Sequence, residues 1–153
     1  MNYLLRGAIQ AIKFAPRHSI IHSIYHSKLI KMPHTKEEFI NALKDRTKQF
    51  VLRSIKLFKA LPSSEEARII GKQFLRSASS VGANYRAVCR ARSNREFFAK
   101  LSITVEEADE SLFWLEIISE SGILPLEKLN SLMQEAEEIL KILSKAGRSS
   151  SHR

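Results

Sequence analysis

Apolar residues recur along this chain at alternating steps of three and four, the spacing that gathers side chains on one face of an α-helix. Four such runs begin near Thr35. The first holds Ile40, Leu43, Thr47, Phe50, Ser54, Leu57 and Leu61, and it stops where Pro62 pushes Leu61 out of the helical region. Ser63 or Ser64 can cap the second, with Glu65 and Glu66 at its positive N-terminal end. Its stripe is Ala67, Ile70, Phe74, Ala78, Val81, Tyr85 and Val88. Ser93 stands three residues before Glu96, the capping-box spacing, and opens a third stripe of Phe97, Leu101, Val105, Ala108, Leu112 and Leu115. Gly122 and Pro125 mark the next break. The fourth stripe is Leu126, Leu129, Met133, Ala136, Ile139, Leu140 and Leu143.

Four helices of about 20 to 28 residues with links of only a few residues must run antiparallel, because short links leave no room for a crossover. The pattern therefore predicts an all-α fold, an antiparallel up-down-up-down four-helix bundle over residues 35–146, with 147–153 a disordered tail. Residues 1–34 read as a basic N-terminal extension outside the fold. Two accounts fit it: a basic, acid-poor targeting leader, or an upstream extension with translation starting at Met32, which is favoured. His18, His22 and His26 share one helix face there, yet no acid or Cys accompanies them, so no metal site is expected.

Charge changes the picture more than size does. The 153-residue chain, 44% hydrophobic, can bury a core unaided, and its single cysteine, Cys89, permits no internal disulfide. A reduced cytoplasm is the expected compartment on that account, and a soluble protein is expected because no stretch approaches the roughly 18 apolar residues of a membrane span. The net charge of +9 is unevenly spread. Residues 32–100 carry fifteen Lys or Arg against six acids, whereas residues 101–153 carry five against ten.

On the second helix, at about 100° per residue, Arg68, Lys72, Arg76, Arg86 and Arg90 fall within about 80° of arc, opposite the apolar stripe. Ser79 and Ala83 lie between them with Gly82 at the edge, so a phosphate chain or a neighbouring helix can approach closely. Arg92 and Arg95 extend the cluster onto the turn. The competing structural reading pairs these bases with acids across a hairpin, which would set Arg76 level with Glu110. Candidate nucleic-acid contacts are thus Lys72, Arg76, Arg86, Arg90, Arg92 and Arg95. Ile103, Trp114 and Ile117, with Glu107 and Glu110 among them, form a second face on the third helix and suggest a subunit contact.

Catalytic chemistry is scarce. From residue 35 onward the only histidine is His152, so the bundle has no histidine for a di-metal site or general acid-base work. Glu106, Glu107, Asp109 and Glu110 read as solvated or paired acids, and Cys89 as a small core residue. No Gly-rich phosphate loop occurs. No catalytic residue, metal or cofactor is expected, and the protein is not expected to be an enzyme.

The run from Gln73 through Ala87 (QFLRSASSVGANYRA), then Arg90 to Phe97 (RARSNREF), Glu106 to Glu110 (EEADE) and Phe113 to Glu116 (FWLE), resembles the bacterial four helix bundle protein family. Its founding members are encoded in intervening sequences of large-subunit ribosomal RNA genes. The likeness covers about residues 36–146, with motif positions Arg76, Ser80, Asn84, Arg86, Arg90, Ser93 and Glu96. Many relatives have proline at Gly82 and Glu-Gly at Ala87-Val88, which sets this chain in a separate branch. The resemblance implies a homopentamer and kinship with accessory proteins of diversity-generating retroelements, which bind RNA or DNA together with a reverse transcriptase. The expected function is therefore an oligomeric, non-enzymatic nucleic-acid-binding protein, RNA before DNA. The alternative is a scaffold for a protein partner such as a reverse transcriptase.

Overall fold

The computed structural model describes residues 35–150, so the N-terminal extension, its histidines and the question of Met32 lie outside the described residues. Those residues form α1 (Lys36–Ala60), α2 (Glu65–Val88), α3 (Asn94–Glu120) and α4 (Leu126–Ser150), with no strand among them. Each chain-adjacent pair packs together, and α4 returns beside α1, closing an up-down-up-down bundle.

The helix ends follow from local chemistry. Thr35 and Glu38 form a reciprocal capping box: the Thr35 hydroxyl accepts from Glu38 N–H at 3.1 Å, and the Glu38 carboxylate accepts from Thr35 N–H at 3.2 Å. Leu61 is extended, with φ −65° and ψ 148°, as its place before Pro62 requires. Ser64, not Ser63, caps α2. Ser93 caps α3 by accepting from Glu96 N–H at 3.1 Å, but the Glu96 carboxylate passes over the cap residue and takes Arg92 N–H at 2.8 Å. Gly122, at φ +73°, provides the left-handed residue that ends the α3 region. The expected tail begins too early: α4 runs through Gly147 to Ser150, since one glycine weakens a helix by only about 1 kcal/mol and does not end it.

The apolar stripes meet in one core. Phe50, Phe74, Val81, Leu115, Leu129, Ile139 and Leu143 are fully buried. The stripes of α2 and α3 omit several buried small or polar positions, namely Gly71, Ser77, Thr104 and Ser111. These set the closeness of packing. A Cβ added to Gly71 would collide with Leu61, and one at Gly82 would lie 2.9 Å from Val51 Cγ2. On the opposite flank the hydroxyls of Ser77 and Ser111 meet at 3.2 Å, each also donating to a carbonyl one turn back in its own helix. Thus α2 sits tightly between α1 and α3.

The α1–α4 seam is the loosest and is held by charge. Arg46 Nε–H donates to Glu135 Oε1 at 2.6 Å, and its guanidinium also binds Glu135 Oε2 and Glu138. The Arg46 side chain is only 16% exposed. Burial opposes its charge, but the two carboxylates outweigh burial and hold its pKa above the ordinary arginine value. Farther along, Arg53 donates to Ser131 Oγ at 3.0 Å. Arg46→Ala should destabilise the bundle by about 2–4 kcal/mol in urea unfolding, because it strands two carboxylates, whereas Arg46→Met should cost clearly less. Equal midpoints for both variants would remove the ion cluster from the account.

Candidate nucleic-acid interface

Because the core-facing side of α2 is fixed by Phe74, Ala78, Val81 and Tyr85, its opposite side must face outward. Arg68, Lys72, Arg76, Arg86 and Arg90 are all exposed, as are Arg92 and Arg95 on the turn and first residues of α3. The structure separates them by pairing. Arg76 reaches Glu110 Oε1 at 3.1 Å while staying 68% exposed, and Arg92 lies 3.5 Å from Glu96 with 89% exposed. Among the described residues Arg68, Lys72, Arg86, Arg90 and Arg95 make no side-chain hydrogen bond or ion pair. Arg90 is left free because Glu96, level with it on α3, is shared by Arg92 and Lys100. Arg68 belongs to this group although it was not among the expected contacts.

The free cations fall at two ends of one edge. Arg68 and Lys72 stand near the start of α2, and Arg86, Arg90 and Arg95 near the turn into α3, over a rise of about 33 Å between Arg68 and Arg90. Ala83 is exposed and Ser79 half-buried between them, so no long side chain rises from these two positions. Gly82 does not face a ligand: it is turned toward Thr47 and Val51 of α1, where the neighbouring helix takes the space. Lys44 of α1 acts electrostatically on Cys89 and so adds positive charge beside the turn end. The α2 arc alone could not have revealed it, since it depends on how α1 packs.

The second face on α3 is partly used within the chain. Trp114 is half-buried against the core, and its Nε1–H donates to Glu110 Oε1 at 3.0 Å, the oxygen that also takes Arg76. Glu107 lies near Ser80 of α2, and desolvation, with Glu110 beside it, raises its pKa. Ile117 is half-buried, and Ile103 remains 47% exposed. Glu107, Glu110 and Trp114 therefore lie along the α2–α3 hairpin. Also outside the stripe of α3 is Phe113, 48% exposed, with its ring edge-on to Trp114.

Cys89 is half-buried at the end of α2, and burial raises its thiol pKa, as burial also does for the Tyr85 phenol beside it. Among the described residues no group of three or more His, Cys, Asp or Glu is placed to hold a metal ion, and no helix is long and apolar enough to cross a membrane.

Residues 41–145 match the sequence profile described as 23S rRNA-intervening sequence protein. The fold matches a crystal structure of a protein of unknown function from the S23 ribosomal protein family of Bacteroides thetaiotaomicron VPI-5482. That match has a TM-score of 0.66 and 33% identity, covering 71% of this chain and 97% of the other. No curated protein matches the chain.

Two glutamates at this surface should titrate in opposite directions. The Arg92 N–H holds Glu96 below the ordinary carboxyl value, with Lys100 and Arg92 adding to it, while desolvation lifts Glu107. The Glu96 cap therefore strengthens α3 at neutral pH, and that support is lost as pH falls through its folded pKa. Ionised Glu107 has the reverse sign, disfavouring the fold as pH rises through its raised pKa. Carboxyl carbon NMR should place Glu96 below and Glu107 above a model glutamate, and Glu107→Gln should raise the melting temperature at pH 7 but not at pH 3 to 4. The same midpoint for both carboxyls would refute this assignment.

Proposed function

The chain belongs to the 23S rRNA-intervening sequence protein family, and on that premise we propose that it is a non-enzymatic nucleic-acid-binding bundle whose ligand is RNA. The observation that carries the reading is the row of exposed cations on α2 and at the turn that have no acid of their own to neutralise them. Arg68, Lys72, Arg86, Arg90 and Arg95 contact phosphates in this reading, with Arg76 and Arg92 adding field from within their ion pairs.

Contacts of this kind fix position and affinity and carry little base information, so binding follows the shape of a phosphate backbone more than its sequence. Two cation groups separated by a low stretch suit a structured RNA whose backbone approaches the helix twice. DNA duplex is the weaker competitor in this account, since the family is tied by its description to ribosomal RNA. Side chains suited to general acid-base catalysis have no part in it.

Counterion release gives the test. If five cations engage phosphates, log K should fall with log salt at a slope between about −3 and −5. Arg86→Glu with Arg90→Glu should lower affinity for a structured RNA by about tenfold or more at low salt, equally for unrelated sequences. Lys141→Glu, on α4, should leave it within about twofold. Unchanged retention by the double reversal in a filter assay would refute the reading.

A further inference from the structure

The cationic row on α2 is broken where Ser79 and Ala83 raise no long side chain, and α1 supplies charge beside that gap. Two close approaches fix how the helices lie: Gly82 faces Thr47 and Val51, and Gly71 faces Phe58 and Leu61. Because α1 and α2 run antiparallel, this register sets Lys48 level with Ala83, Lys59 level with Lys72, and Lys44 beside Arg86. At about 100° per residue, Lys44, Lys48 and Lys59 lie within about 80° of Val51 on its solvent side. Arg68, Lys72, Arg86 and Arg90 lie within about 80° of Gly82, again toward solvent. Both rows therefore border the crease between α1 and α2.

Lys48 and Lys59 are exposed and Lys44 is half-buried, and none of the three makes a side-chain hydrogen bond or ion pair among the described residues. Lys44 stands close enough to the end of α2 to act on the Cys89 thiol. Acid is scarce on both sides. Between Phe39 and Ala60 the one acid of α1 is Asp45, about 120° round from Val51 and so beyond the lysines, and α2 has none from Ala67 to its end. The floor of the crease is low and aliphatic: Ile55 and Ser79 are half-buried, Ala83 is small, and Leu52 is 43% exposed. Phe58, the aromatic ring on this flank of α1, is packed over Gly71.

Resting on the reading that the α2 edge binds RNA, we propose that the crease seats a double-stranded stem. The α2 row meets the phosphates of one strand, and Lys44, Lys48 and Lys59 meet those of the other. Packed helices lie about 8–10 Å apart. In A-form RNA the deep major groove is narrow, so the backbones on its two sides run close together with the bases set back between them. Two lines of positive charge over a low aliphatic floor suit that form. A single strand in a cationic groove is held instead by aromatic rings stacked on its bases, and the crease turns no ring outward among the described residues. Lys48, level with the gap in the α2 row, makes the track continuous where α2 alone leaves it open.

Filter binding by the full chain tests this with a short RNA duplex and, separately, one of its strands chosen not to fold on itself. The duplex should bind at least about tenfold more tightly than the strand. Lys48→Glu with Lys59→Glu should weaken duplex binding by about tenfold or more and make its salt slope shallower by about two. Lys56→Glu, exposed on the α4 flank of α1, should stay within about twofold, and circular dichroism verifies the fold of each variant. If Arg86→Glu with Arg90→Glu weakens duplex binding and the α1 pair does not, the second row is overturned while the α2 edge stands. A single strand held as tightly as the duplex would overturn the stem. Full affinity in both double variants would remove the RNA reading itself, and this inference with it.

Discussion

Helix α2 can aim its arginines outward only because its two flanks are built for close approach. Gly71 and Gly82 admit the side chains of α1, and Ser77 meets Ser111 of α3 through paired hydroxyls. Larger groups at these positions would push the neighbours away and let the helix turn about its axis. With both flanks occupied and Phe74, Val81 and Tyr85 inward, one direction is left for Arg68, Lys72, Arg86 and Arg90. Packing on three sides thus sets the electrostatics of the fourth.

Pairing then decides which charges remain available. Acids close to the α2 edge are few, and the structure commits them. Glu110 serves Arg76 and Trp114, and Glu96 is divided among the Arg92 backbone, the Arg92 side chain and Lys100. Most of the chain's acids stand on α3 and α4, and away from this edge Glu135 and Glu138 hold Arg46. The bundle therefore keeps separate charged faces, with the core preventing them from neutralising one another.

Much of this was legible from periodicity and punctuation. Pro62, Ser93, Gly122 and the four stripes locate the helices, and the hairpin register that set Arg76 level with Glu110 is the one observed. What escaped the sequence was whatever depends on the distance between helices. Ser77, Thr104 and Ser111 look like surface residues in a hydrophobicity pattern, yet they are buried because each hydroxyl finds a carbonyl in its own helix. Gly82 left room for a phosphate chain or a neighbouring helix, and the sequence could not say which; the room holds Val51 of α1. Trp114 read as bare because a wheel gives the direction of a residue but not that its ring packs back against the core while its N–H reaches Glu110 one turn away. The Arg46 cluster could not be foreseen, since it forms where two helices distant in sequence meet.

The most direct test of an outward cationic edge is an NMR titration of the folded chain with a short RNA hairpin, following arginine Nε–H and backbone amide signals. The account predicts that Arg68, Arg86, Arg90 and Arg95, with the exposed amides of α2, shift together and saturate together, while Arg46 and the α4 amides stay in place. Shifts concentrated on α4, or none at a concentration that saturates RNA retention, would contradict it.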